Sequence, residues 1–145
     1  MKRALAIKQA ETPTQIGLGT FKNTSTASIS DAETKLLKFL DNLKNLDADW
    51  DGEFLKPDLE AISDAMSFVR QLFKLNPSTK IEQACPGAMG EIVIELRKNE
   101  KSVEFIFYPN KKWKYVSVGG ERLPEQGIFE LKNLSNIIIW LNDEA

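Results

Sequence analysis

An acidic loop, Asp47-Ala48-Asp49-Trp50-Asp51-Gly52, carries the residue types in this chain that are best suited to chemistry. Calcium loops of the EF-hand type take oxygen ligands from loop positions 1, 3 and 5, from a backbone carbonyl at 7 and from a carboxylate at 12, with glycine at 6. Counted from the first aspartate, the chain supplies these groups in order from Asp47, Asp49, Asp51, Gly52, the Glu53 carbonyl and Asp58. A calcium-binding module built on the Asp47–Asp58 loop is therefore one hypothesis for function.

The same loop also fits a purely structural role. A buried tryptophan covers about 150–250 Å² of surface, so Trp50 is large enough to close the open end of two packed helices. Asp51 can accept N–H groups of the turn, Gly52 can take a positive φ angle, and Pro57 suits the first turn of a helix. Asp58 is one methylene shorter than the glutamate usual in calcium loops, and it is also placed to cap that helix. We favour the structural interpretation because it explains Trp50, Gly52 and Pro57 together.

Composition excludes several familiar kinds of active site. None of the 145 residues is histidine, which excludes Ser-His-Asp and Cys-His catalysis and zinc sites built from histidines. The single cysteine, Cys85, excludes an internal disulfide and a multi-cysteine metal site. A carboxylate-dependent enzyme using Glu91, Glu95 or Asp51 is a third hypothesis. We expect instead a protein that is not an enzyme and that needs no cofactor.

Charge and apolar runs bear on partners and location. The chain has 19 basic and 21 acidic residues and a net charge of −2, so neither nucleic acid nor a membrane is favoured as a partner. The N-terminal apolar run is shorter than the roughly 7–15 residues of an export signal. The late run Ile137-Ile138-Ile139-Trp140-Leu141 is far shorter than the ~18 residues of a membrane span. These features predict a cytoplasmic protein.

Apolar side chains recur with helical spacing in two long segments. Residues 31–46 and residues 57–76 each repeat apolar positions at intervals of three and four, which is the pattern of an amphipathic helix. These helices are expected to form a hairpin with the acidic loop at its tip. Residues 133–141 predict a closing helix, although their β-branched side chains also suit a strand.

Between the helices the period of the pattern changes to two. Alternating β-rich runs predict strands over residues 91–96, 103–108 and 113–118, and residues 80–83 allow a fourth. The expected fold class is α+β: an α–α hairpin, then a three- or four-stranded antiparallel meander and a C-terminal helix, in two layers. Residues 1–27 are rich in small polar residues and predict a flexible N-terminal arm, which leaves residues 28–145 as one domain.

Short motifs in the middle of the chain resemble a family of small, functionally uncharacterised bacterial and phage proteins with an Asn-Trp-Asp-Gly loop between two helices. The resemblance covers roughly residues 40–108. It is carried by Asp49 in place of asparagine, Trp50, Asp51, Gly52, Pro57, Ala61, Ala65, Phe68, Leu72, Gly90, Glu91, Ile92 and Glu95. Leu96 departs from the pattern, which has tryptophan there. The resemblance implies an accessory protein that binds another protein, and it implies no specific activity.

We therefore expect a small protein-binding protein, such as an inhibitor or an antitoxin-like or immunity-like accessory protein. Aromatic residues are enriched at interface hot spots, so Tyr108, Trp113 and Tyr115 are the candidate partner-binding residues, beside the N-terminal arm. Trp113 and Tyr115 share one face of their strand, and the alternating Lys112 and Lys114 favour the core for both. The sequence is also compatible with a homodimer.

Overall fold

The computed structural model describes residues 20–21, 29–47, 52, 54–121 and 123–143. Its helices are α1 (Ile29–Asn42), α2 (Leu59–Leu75) and α3 (Leu134–Asn142). Its strands are β1 (Ile81–Pro86), β2 (Ile92–Lys98), β3 (Lys101–Tyr108), β4 (Lys112–Val118) and β5 (Glu125–Ile128). Short 3-10 turns lie at Leu43–Asn45, Pro109–Lys111 and Leu131–Asn133. Two helices, an antiparallel sheet and a closing helix confirm the predicted α+β class.

Helices α1 and α2 pack against each other through the apolar stripes predicted from the sequence. Leu36 and Leu40 of α1 and Leu72 of α2 are fully buried. The cap of α2 fixes where that helix begins, because Oδ2 of Asp58 accepts a hydrogen bond from the Ala61 N–H at 2.9 Å. That N–H has no partner within the helix. Asp58 therefore has the capping role that its position after Pro57 predicted.

All five strands are antiparallel and are hydrogen-bonded in chain order. The prediction allowed three or four strands, so β5 is the strand that the sequence did not reveal. Residues 124–127 resemble a turn because proline and glycine are depleted in strands. Gly127 nevertheless lies opposite Tyr115 in the pairing of β4 with β5, where a Cβ would come within 3.4 Å of the tyrosine ring. Pairing with β4, rather than local propensity, makes this run a strand.

The hydrophobic core lies between the helices and one face of the sheet. On β3, Val103, Phe105 and Phe107 are fully buried, while the intervening Glu104 is partly exposed. Phe68 of α2 is fully buried, with its ring centroid 4.6 Å from that of Phe105 and 5.1 Å from that of Phe107. Alternation along the strands thus gives the two-layer arrangement that the sequence predicted.

Helix α3 closes the domain. Leu134, Ile138 and Leu141 are buried and belong to the core cluster. The β-branched residues of this segment therefore form a helix, because burial of one helical face outweighs their weak preference for strands. None of the described helices is long and apolar enough to cross a membrane.

Two residues of the predicted N-terminal arm lie against the domain. Phe21 and Ala84 of β1 exchange backbone hydrogen bonds of 2.8 and 2.9 Å. The ring of Phe21 lies 5.8 Å from that of Phe39, and Thr20 is buried. The remainder of residues 1–27 is outside the described part of the chain, so the flexible arm stays a prediction there. Thr20 and Phe21 themselves pack with the domain.

Candidate functional site

The centre of the acidic loop lies outside the described residues, which omit Asp49, Trp50, Asp51 and Glu53. The predicted roles of those residues, as metal ligands or as a buried plug, therefore stay predictions. Gly52 is described and has a φ of +82°, a positive angle of the kind that glycine adopts readily. Gly52 and Asp47 are both exposed.

The residues after the loop have structural contacts. Pro57 is buried, and one carboxylate oxygen of Asp58 is engaged by the first turn of α2. A cation at position 12 of a calcium loop would have to share that carboxylate with the helix. Within the described part of the chain, no group of three or more His, Cys, Asp or Glu side chains could hold a metal ion. The calcium-binding hypothesis stays a prediction.

The fold brings together the two motifs that carry the family resemblance. The Leu55 N–H donates to the Ala88 carbonyl at 2.8 Å, and the Asp58 N–H donates to the Gly90 carbonyl at 2.9 Å. The segment that follows the acidic loop is thus fixed to the turn between β1 and β2. Gly90 has a φ of +85°, and a Cβ there would lie 3.1 Å from the Lys56 carbonyl oxygen. Glycine is therefore required where the two motifs meet.

Gly90→Ala is expected to lower the free energy of unfolding by about 1–3 kcal/mol, because alanine is strained at a positive φ. Its Cβ would also crowd the Lys56 carbonyl oxygen. Urea denaturation measures the loss. Gly52→Ala is the matched control, since its φ is nearly the same, but a Cβ there meets nothing within 4 Å. Equal losses in the two variants would contradict a contribution from the close approach of the two segments.

The carboxylates considered for catalysis contact nearby backbone and cationic groups. Oε1 of Glu91 accepts a hydrogen bond from the Met89 N–H at 2.8 Å, which supports the turn between β1 and β2. Glu95 lies opposite Glu104 in the pairing of β2 with β3, and its Oε2 is 3.1 Å from the Arg97 guanidinium. These contacts hold the turn and balance charge on the sheet, whereas Asp51, the third carboxylate considered, lies outside the described residues.

Tyr108, Trp113 and Tyr115 are divided between the two faces of the sheet. Trp113 and Tyr115 lie opposite Phe107 and Phe105, and both pack, partly buried, against the core, as their alternation with lysines predicted. Tyr108 is on the other face, where Nζ of Lys114 lies 5.6 Å from its ring centroid. These aromatics therefore do not form one surface.

Trp113 also borders a groove beside β5, called the edge groove below. This edge groove has a volume of about 620 Å³ and is lined by residues 111–114 on one side and residues 128–131 on the other. Its base is aromatic, since Trp113 and Phe129 stack with ring centroids 6.2 Å apart. Two aliphatic side chains stand at its rim, where Ile128 is 76% exposed and Leu131 is 40% exposed. The groove therefore offers an open apolar surface at the β5 edge of the sheet.

A buried carboxylate on α2 fixes one wall of the edge groove. Asp64 is 6% exposed. Its Oδ2 accepts a hydrogen bond from Nε1 of Trp113 at 3.0 Å, and its Oδ1 accepts one from Nζ of Lys111 at 3.0 Å. Glu60 adds an acceptor for the Asn110 N–H at 3.1 Å. Asp64 therefore sets the orientation of the indole ring and ties the turn between β3 and β4 to α2.

The lysines around the edge groove differ in their electrostatic surroundings. The pKa of Lys111 is raised above its usual value, first by its hydrogen bond to Asp64 and then by attraction to that charge. Lys112 and Lys114 are exposed, and no described carboxylate lies within ion-pair distance of either. Lys132 pairs with Glu130 at 3.5 Å. Two positive charges without a described carboxylate partner therefore stand beside the apolar rim, and that of Lys114 lies over the Tyr108 ring.

Sequence reasoning identified Trp113 but missed Ile128, Phe129 and Leu131. Their only signal was the apolar pair Ile128-Phe129 after Gly127, in a segment to which the sequence analysis assigned no helix or strand. No family model, curated protein or solved structure matches this chain. The family resemblance therefore stays an expectation, and the functional argument rests on the geometry of the edge groove.

Proposed function

We propose that this chain is a small, non-enzymatic protein-binding protein that docks on another protein through the edge groove. An inhibitor or an antitoxin-like or immunity-like accessory protein would act in this way. The observation that carries the proposal is the open apolar groove beside β5, with Ile128 at its rim and Trp113 at its base. Contiguous exposed apolar surface on a folded domain commonly marks an interaction site.

The composition of the edge groove supports a protein partner. Interface centres combine an aromatic anchor with exposed aliphatic side chains, and a polar rim surrounds them. Trp113 supplies the anchor, Ile128 and Leu131 the aliphatic surface, and Lys112 and Lys114 the polar rim. The Asp64 hydrogen bond holds the indole in place before binding, which reduces the entropy lost on association.

Ile128→Asp is expected to weaken partner capture at least about tenfold, since truncating a hot-spot residue costs 2 kcal/mol or more. The side chain is exposed, so the domain should retain its melting temperature. The measurement is quantitative capture from a native lysate on immobilised protein, followed by mass spectrometry. Ile139→Asp is the matched control, because it changes an exposed isoleucine on α3 that does not line the groove.

Met89→Asp separates the edge groove from another exposed apolar side chain, at the turn between β1 and β2, where Met89 is 64% exposed. A partner retained by Met89→Asp and Ile139→Asp but lost with Ile128→Asp supports the proposal. A partner that is lost only with Met89→Asp would place the interface at that turn. A partner retained by all three variants would also contradict docking through the groove.

A further inference from the structure

Strand β5 forms one open edge of the sheet. Phe129 donates its N–H to the Trp113 carbonyl at 2.9 Å. In an antiparallel pair, hydrogen-bonded and non-hydrogen-bonded positions alternate. Because Phe129 is hydrogen-bonded to β4, Gly127, two residues earlier, is a hydrogen-bonded position as well. The N–H and C=O groups of the alternate residues Gln126 and Ile128 therefore point away from β4. No backbone hydrogen bond joins either residue to another described segment.

The opposite edge of the sheet is different. There, Phe21 pairs with Ala84 of β1 through two backbone hydrogen bonds, so a segment of the same chain already occupies part of that edge. An exposed row of unpaired backbone groups is a ready template for another strand. Among the described residues, β5 is the edge along which no segment of the same chain is paired.

Charge indicates what kind of strand would pair with β5. Ile128 lies opposite Lys114 in the register, and Gln126 lies opposite Val116. Lys112 and Lys114 have no described carboxylate within ion-pair distance and stand on the same face as Ile128. A strand beside β5 would therefore place alternate side chains next to the exposed Ile128. Lys112 and Lys114 would lie one strand further in, on β4, and would give this face of the sheet edge a positive charge. Acidic side chains complement that surface.

We infer that β5 accepts an extended, acidic peptide segment of a partner protein as a sixth strand, with an apolar side chain of that segment seated in the edge groove. Main-chain hydrogen bonds to Gln126 and Ile128 would give affinity, and the lysines and the groove would select the sequence, as in other cases of strand addition. The inference rests on the proposed function for its site and adds the chemistry and conformation of the ligand.

Two other occupants fit this edge less well. Residues 1–19 of the chain contain the basic Lys2, Arg3 and Lys8 against the single acidic Glu11, so their net charge has the same sign as that of Lys112 and Lys114. A second copy pairing β5 with β5 would add two further lysines, those of its own β4, to the same face of the enlarged sheet. Like charges across an interface disfavour both arrangements.

The probe is a fluorescein-labelled, N-acetylated peptide of alternating Asp and Val residues, titrated with the full chain and followed by fluorescence anisotropy. Saturable binding that weakens as salt is raised is expected, together with at least tenfold weaker binding of the Lys-Val counterpart. Absence of saturable binding, or equal binding of the Lys-Val peptide, would overturn the inference. Concentration-dependent dimerisation lost with Ile128→Asp, seen by analytical ultracentrifugation, would also overturn it in favour of a second copy.

Gln126→Pro tests the backbone contact directly. Proline is tolerated on an edge strand where its nitrogen faces solvent, so the pairing with β4 should survive while the outward donor is removed. Binding of the Asp-Val peptide is expected to fall at least tenfold, whereas Gln126→Ala, which keeps the N–H, should change it less than twofold. Equal binding by the two variants would overturn strand addition.

A second measurement makes the test independent of any effect of proline on folding. Asp-Val peptides N-methylated at alternate backbone nitrogens are titrated against the unaltered protein. One of the two methylation registers should abolish binding and the other should not, because a strand pairs through alternate residues only. Equal binding of both registers would overturn strand addition. If lysate capture still depends on Ile128 in that case, the proposed function stands and only this inference is lost.

Discussion

Phe68→Ala is expected to lower the free energy of unfolding by about 3–5 kcal/mol, the usual loss for a large aromatic residue in a core. Phe68 is fully buried, with its ring centroid 4.6 Å from that of Phe105, 5.1 Å from that of Phe107 and 5.7 Å from that of Phe129. No single neighbour can fill the space left by alanine, because each of these rings is fixed by its own strand or turn. Urea denaturation followed by circular dichroism measures the effect.

Leu75→Ala is the control for Phe68→Ala. Leu75 ends the same helix but is 47% exposed, and surface substitutions commonly change stability by less than about 0.5 kcal/mol. A loss of similar size in both variants would contradict burial against the sheet as the cause of the loss in Phe68→Ala, since alanine has the highest helix propensity in either position. A loss below about 1 kcal/mol for Phe68→Ala would contradict the aromatic cluster as the centre of the core.

The second large effect is expected for Asp64→Ala, which should lower the free energy of unfolding by about 1.5–3 kcal/mol, the range for hydrogen bonds to charged groups. Asp64 is buried and accepts from both Trp113 and Lys111 at 3.0 Å. Its removal leaves the indole N–H of Trp113 without this acceptor at the base of the edge groove. Urea denaturation measures the loss, and near-ultraviolet circular dichroism should show a less ordered tryptophan.

Glu60→Ala is the matched control, because Glu60 lies one helical turn earlier and approaches the same lysine. Its carboxylate is 3.8 Å from Nζ of Lys111, and its side chain is 45% exposed, so an effect of roughly 0–1 kcal/mol is expected. Equal effects for the two carboxylates would contradict a special role for Asp64. Asp64→Ala should also weaken partner capture if the fixed indole is part of the docking surface.

Local patterning predicted most of the fold. The spacing of Leu36, Leu40 and Leu72 identified the buried faces of α1 and α2, and alternation identified β3 and its neighbours. These elements were predictable because a helix or strand with one apolar face must bury that face. The capping role of Asp58 was also predictable, because the groups that cap a helix lie within a few residues of its end.

Other features depend on contacts between residues far apart in the chain. Residues 125–128 are a strand only because β4 provides an edge with which they pair. Asp64 resembles an ordinary polar residue of α2, and only folding brings it to Trp113, 49 positions later in the chain. The edge groove combines the start of β4 with the segment that follows β5. Sequence alone therefore determined the elements and their buried faces, because periodicity is local. Only the tertiary structure decided which charges and apolar side chains meet at the sheet edge, because such meetings depend on strand register and on which edge remains open.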